Sequence, residues 1–508
     1  MNTFYLIWRN HYIRKLIRNL QCQDLIIHVD DGYLNDNHQY LSLFSSKDKL
    51  DYNISINYTD LLGNYISNQY RSLVNDVYFD VDDDTFAGHY DLDHFTDVHK
   101  LYLQVHSGIT LHGTVPHSLV YLNLDSGDEY ESPIVEFILA NLPSQLQTLV
   151  LSSEYYIARE CVVPESLSDL DYCATSESLK WFVVPPNKQL NSCTLEVESI
   201  EALEWLEENK WVTKISISEY MGPLALDTNA MIPAHIRSIV MNGDVNIAPS
   251  SFPLQLEQLT CFQTIPSHLT HLKCLTLMYY SIKLDKNVLP PSLEYLDMSY
   301  DLPLDAGVLP NLTYLSLHGF DQNLETGVLP PSLTTLHLSI FNQPLKPYVL
   351  PNNLQELNMG EFNQESFPLH SLPDSLMYLY LDSFQGSFAS CQPLDHLKRL
   401  KLYAIDPSVS TILPNVKRLD LVLPSMNYPT GTCLVNTRIE SLFIKCQYTS
   451  SLYANSFPPT LKYLTLSNID IKSSGVIPNA CIYLKSFYTD LNPVFVPQSV
   501  NYYFKQAN

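Results

Sequence analysis

The run DVDDDTFAGHYD, residues 80–91, gathers five aspartates in twelve residues. With Asp80 counted as position 1, Asp82, Asp84 and Asp91 fall at positions 3, 5 and 12 of a helix-flanked calcium loop. Such a loop needs glycine at position 6 for its turn and a bidentate glutamate at position 12. Thr85 and Asp91 stand there instead, and the flanks alternate like strands, so the run reads as a solvated acidic loop. His89, His94, His99 and His106 follow at spacings that suit no zinc site. No phosphate-cradling glycine loop, dinucleotide fingerprint, H-E-x-x-H or G-x-S-x-G is present. Ser, His and Asp are scattered so evenly that no nucleophile–base pair stands out. Residue chemistry therefore points away from an enzyme and calls for no cofactor and no metal.

Recognition chemistry is better represented. Tyr295, Tyr314, His337, Tyr378, Tyr380, Arg399, Lys401 and Arg418 recur at intervals of about one repeat. Tyrosine and arginine dominate the hot spots of protein interfaces. Lys398, Arg399, Lys401, Lys417 and Arg418 form a basic island in an acidic chain, while Asp125, Asp128, Glu129 and Glu131 mark an acidic stretch far upstream. A protein ligand is expected to dock across Tyr378, Tyr380, Arg399, Lys401 and Arg418.

The elements that position these residues follow from a ruler of prolines. Pro290, Pro310, Pro330, Pro351, Pro373, Pro393 and Pro414 lie 20, 20, 21, 22, 20 and 21 residues apart. Behind each proline comes one frame, as in Leu312-x-x-Leu315-x-Leu317, Leu333-x-x-Leu336-x-Leu338 and Leu376-x-x-Leu379-x-Leu381. The L-x-L core alternates with period two, which makes it a short strand with one buried face. In this frame Leu400 and Leu402 correspond to Leu419 and Leu421, which sets Arg399 beside Arg418. A unit this short leaves no room for an α-helix on its return side, and proline suits an extended return. The expected fold is a mainly β repeat solenoid, a leucine-rich-repeat-like right-handed coil of short parallel strands with extended return segments. At roughly 4.8 Å per strand, about 18 to 20 units would form an arc on the order of 90 Å. The residues between the inward leucines line the concave strand face, the usual binding surface of a solenoid.

Ordinary leucine-rich repeats keep asparagine three residues after the last leucine. Phe320, Phe341, Phe362, Phe384, Ile405 and Ile469 occupy that slot here, with a polar residue one place on at Asp321, Asn342, Asn363, Gln385, Asp406 and Asp470. An apolar column is thus expected where the asparagine ladder would stand. FNQPL at 341–345, lying between two VLP phrases, resembles the FNIP repeat, a leucine-rich-repeat relative. The likeness covers roughly residues 98–508 and is densest from 285 to 425; it implies binding rather than catalysis.

Residues 4–20, FYLIWRNHYIRKLIRNL, set Phe4, Ile7, Trp8, Tyr12, Leu16 and Leu20 at helical spacing with Arg9, Arg14, Lys15 and Arg18 opposite. A helical cap over the open end of the coil is expected, with residues 1–70 as an irregular N-terminal region and 71–508 as the solenoid. FNIP proteins often begin with a similar segment and some carry an F-box there. An alternative is therefore a degenerate F-box-like region that makes the chain a substrate-recognition adaptor of a ubiquitin ligase, although the Leu-Pro start is missing. Residues 186–232 break the ruler, and a helix opened by Ser199 is expected within them.

Bulk composition agrees with a folded binding protein. The 508 residues are 45% hydrophobic and 16% charged, and the net charge of −25 disfavours nucleic acid or an anionic membrane as partner. The first residues do not read as a signal peptide, no run approaches the ~20 apolar residues of a membrane span, and ten cysteines form no C-x-x-C pair. A cytoplasmic location is expected.

Overall fold

The computed structural model describes residues 10–79, 89–104, 110–125, 133–153, 155–218, 231–243, 247, 249–262, 265, 267–425, 434–452, 454–487 and 491–506. Most of the acidic run from Asp80, together with His106, Asp128, Glu129 and Glu131, lies outside the described residues. The chain divides into two compact units, Met1–Asn242 with Asn246–Pro253, and Gly243–Val245 with Leu254–Asn508.

Each unit is a parallel-strand β-solenoid. In the first, strands Ile26–Val29, Ser55–Tyr58, Asp76–Phe79, Lys100–Gln104, Tyr121–Asp125, Thr148–Leu151 and Asp169–Asp171 pair in chain order. Cys173–Ala174, Thr194–Val197, Lys214–Ser218 and Ser238–Asn242 continue with parallel pairing. The second unit runs strand by strand from Gln258–Cys261 to Tyr502–Gln506. Register follows the leucine frame over most of its length: Leu296 pairs with Leu315, Leu315 with Leu336, Leu336 with Leu357 and Leu357 with Leu379. All of these leucines are fully buried.

The proline carbonyls start each strand. Pro330, Pro351 and Pro373 each accept the N–H of the residue three places on, Leu333, Leu354 and Leu376, closing a turn that feeds the first core leucine. The serine just before that leucine reaches back one repeat. Ser292, Ser332 and Ser375 donate Oγ–H to the carbonyls of Leu272, Leu312 and Leu354 at 2.7, 2.7 and 2.6 Å. Ser118 and Ser166 do the same in the first unit.

The expected apolar column is present. Phe320, Phe341, Phe362 and Phe384 are buried and stack at 6.3, 6.3 and 6.0 Å. Ile405 and Ile469 are buried in the same slot. The polar residue that follows forms a ladder of its own. Asp301 Oδ1 accepts the Asp321 N–H at 3.1 Å, Asp321 accepts Asn342 at 2.8 Å, Asn342 accepts Asn363 at 2.9 Å, and Asn363 accepts Gln385 at 3.0 Å. Phenylalanine fills the turn, and its polar neighbour satisfies the backbone of the next coil.

Helix α1 (His11–Gln21) departs from the expected cap in its orientation. Lys15 and Arg18 turn toward Asp48 at 2.9 and 3.7 Å, and Asn19 donates to Asp48 at 2.7 Å. Tyr12, Ile17 and Leu20 are 72, 43 and 52% exposed. A buried carboxylate needs cations and donors more than an amphipathic helix needs shelter for its apolar side. The inserted helix forms at Ile200–Glu208, with Val212, Ile215 and Ile217 buried behind it as the frame predicts. Ser199 stands at its N-cap but makes no cap bond; its hydroxyl engages Glu201.

Candidate binding surface

On the strand face of the second unit, strand pairing orders the outward residues into rows. One row reads Cys274, Tyr295, Tyr314, Thr335, Glu356, Tyr378, Arg399 and Asp420. The next reads Thr276, Asp297, Ser316, His337, Asn358, Tyr380, Lys401 and Val422.

Tyr295 and Tyr314 stack face to face at 4.2 Å, only 8° from parallel. Burial raises the Tyr295 hydroxyl above its ordinary range, and the neighbouring Tyr314 adds to the shift. The Tyr314 hydroxyl lies 3.2 Å from His337 Nδ1, and His337 Nε2 lies 3.2 Å from Glu356 Oε1. A continuous polar and aromatic chain thus crosses adjacent coils. His318 joins it from the end of its strand, 2.9 Å from Asp297.

Further along, Tyr378 and Tyr380 are half-buried and stand beside Arg399 and Lys401. Arg399 is held by Asp420 at 3.1 Å, and its pKa is raised by hydrogen bonds to Asp420 and then Tyr380. Lys401 pairs with Asp382 at 2.8 Å. Lys417 and Lys462 share Glu440 at 3.6 and 2.8 Å. The basic island is therefore largely charge-paired, though such exposed pairs contribute only about 0–1 kcal/mol each and open readily.

Strand pairing separates Arg418 from this group. Leu400 pairs with Leu421, so Arg399 faces Asp420, while Arg418 pairs with Ser441. Leu419, Leu421 and Leu423 alternate and are all buried, so a slip of two residues keeps every leucine inside. The frame alone could not choose between the two registers. Spacing does not choose either: Arg399 to Asp420 is 21 residues and Arg399 to Arg418 is 19, and both intervals join paired residues elsewhere, 19 from Leu296 to Leu315 and 21 from Leu315 to Leu336. The acidic partners Glu356, Asp382 and Asp420 were absent from the expected site, although opposite charges one repeat apart are the signal that betrays them.

Among the described residues no group of three His, Cys, Asp or Glu is placed to hold a metal ion. Their cysteines are free thiols, and no helix is long and apolar enough to cross a membrane.

Residues 280–319 and 320–362, which hold Phe320, Phe341 and Phe362 of the column, match the model of the FNIP Repeat. No curated protein matches the chain. Among solved structures, the TLR13–ssRNA13 complex is 14% identical, with 88% of this chain and 79% of that one covered and a TM-score of 0.50. CroV588, a circular LRR protein, is 19% identical over 92% of this chain and 70% of that one, with a TM-score of 0.44. YopM from Yersinia enterocolitica is 17% identical over 81% and 88%, with a TM-score of 0.30. The likeness to TLR13 is one of fold.

Proposed function

We propose that the chain is a non-catalytic scaffold that holds a protein partner on the strand face of Leu254–Asn508. The observation that carries this reading is the continuous patch of Tyr378, Tyr380, Arg399 and Lys401 on two adjacent strands. Rigid aromatic side chains beside exchangeable ion pairs are what interface hot spots are made of. Tyr295, Tyr314 and His337 extend the patch along the same rows, and Arg418 stands at its far margin. The net charge of −25 argues against a polyanionic partner and for a protein one. In this reading residues 1–70 serve as the terminal cap, 71–508 as the coil, and the helical segment near 186–232 as one lengthened repeat, and the protein works in the cytoplasm.

Affinity purification with Arg399→Glu and Arg418→Glu combined tests the reading. Loss of a partner retained by the wild type supports it; a full set of partners on a variant that melts normally removes it.

The exposed Tyr12, Ile17 and Leu20 of α1 favour a second reading, in which this helix recruits a further protein such as a ubiquitin-ligase core. Replacing all three by serine leaves the Asp48 contacts intact. If the variant keeps every partner, α1 recruits nothing.

A further inference from the structure

A hollow of about 290 Å³ opens at the loop rim of the second unit, lined by Tyr279, Tyr280, Tyr300, Asp301, His318 and Gly319. We propose that this hollow is an aromatic cage for a quaternary ammonium group, of the kind carried by a methylated lysine or a choline headgroup. The site lies at the strand ends, where Ser299 and His318 close their strands.

Backbone hydrogen bonds build the walls. The Tyr279 N–H donates to the Phe262 carbonyl at 3.0 Å, the Tyr280 N–H to Ser299 at 3.3 Å, and the Tyr300 N–H to His318 at 2.8 Å. Tyr279 packs on Phe262 at 5.6 Å and Tyr280 on Tyr300 at 6.4 Å. The Leu284 N–H donates to the Tyr300 hydroxyl at 3.1 Å, and the fully buried Tyr300 ring backs Tyr280 from inside the coil. A Cβ added at Gly319 would meet nothing within 4 Å, so the chain leaves open space where a side chain would stand.

Two features select a cation over a neutral apolar group. Tyrosine faces carry the negative part of the ring quadrupole, and Tyr279 and Tyr280 are the two lining tyrosines that keep accessible surface at the hollow. Asp301 adds a carboxylate: its Oδ1 accepts from the Asp321 N–H and Gln322 Nε2 at 3.1 and 3.0 Å, and no cation is paired with it among the described residues. Lys283 nearby is neutralised by Asp305 at 2.6 Å, and His318 Nε2 is turned to Asp297 at 2.9 Å. The volume stands at the lower end of the range for small-ligand sites, roughly 300 Å³. The chain's net charge of −25 favours cations in general.

The test titrates the full chain with choline and with its neutral isostere 3,3-dimethylbutan-1-ol at constant ionic strength and pH 8, following tyrosine fluorescence or calorimetry. Choline should bind saturably and more tightly than the isostere. Tyr279, 65% exposed, can be truncated without disturbing the core, and Tyr279→Ala should weaken choline about tenfold. Asp301→Asn should weaken choline and leave the isostere unchanged. Equal affinity for the two probes, no binding of either, or an unchanged choline affinity in Tyr279→Ala overturns the proposal. Trimethyl-lysine and phosphocholine then separate the two sources, the tighter ligand naming the class.

Discussion

Arg399 lies opposite Asp420, 3.1 Å away, and not opposite Arg418. The charge that a partner would read at this point is thus masked by a carboxylate from the next coil. Both side chains remain about half exposed, so the pair stabilises the fold by no more than about 1 kcal/mol. Asp420→Asn should leave urea denaturation within that margin. The same change frees the guanidinium and should tighten binding of an acidic partner segment. A weaker complex with unchanged stability would mean that the partner reads the carboxylate instead.

The FN pair of the repeat divides two tasks that point variants can separate. Phe341 is fully buried between Phe320 and Phe362, so Phe341→Ala should cost about 3–5 kcal/mol through lost packing and a cavity. Asn342 sits at the surface, where its Oδ1 accepts the Asn363 N–H and Gln364 Nε2, so Asn342→Ala should cost about 1 kcal/mol. Asn342→Asp keeps the acceptor, as Asp321 does one coil earlier. Amide exchange at Asn363 should quicken in the alanine variant and return to normal in the aspartate variant. Equal exchange in all three would remove the ladder as a source of order.

The serine rung predicts an effect of similar size. Ser332 Oγ–H reaches the Leu312 carbonyl at 2.7 Å, and Ser332→Ala leaves that carbonyl short of one partner. A loss of about 1 kcal/mol in urea denaturation is expected. Ser332→Thr keeps the hydroxyl, as Thr460 does toward Ile439 at 2.8 Å, and should restore most of it.

How far the sequence could be read depended on how many answers the residue pattern left open. The phenylalanine column was legible because Phe320, Phe341, Phe362 and Phe384 keep one phase against the leucines. The inward leucines were legible for the same reason. Arg418 was misplaced because Leu419, Leu421 and Leu423 bury equally well in either of two registers. The orientation of α1 was hidden because amphipathicity predicts which side is apolar, while Asp48, some thirty residues away, decides which side is needed. The polar residue after each phenylalanine was visible, yet its partner was not, since a backbone N–H has no letter of its own.

The first unit should lose stability in acid in two steps. His99 is buried, lies 2.8 Å from Ser46 Oγ, and has its pKa lowered to about 4 by burial and then by the Lys49 charge. Unfolded histidine takes its proton near 6.5, so the unfolded chain binds that proton first. Stability is therefore complete above about pH 6.5 and falls as pH drops toward 4, by about 3 kcal/mol in all. Asp48 acts lower. Burial would raise its pKa, but bonds from Ser45, Lys15 and Asn19 outweigh that and hold it at about 2. Its contribution, about 2 kcal/mol, persists above pH 4 and is lost between 4 and 2. His99→Gln should flatten the first step and spare the second, and Asp48→Asn should do the reverse while loosening α1. Denaturation curves from pH 7 to 2 measure both; a wild type whose stability stays level from pH 7 to 5 would rule out a neutral buried imidazole at His99.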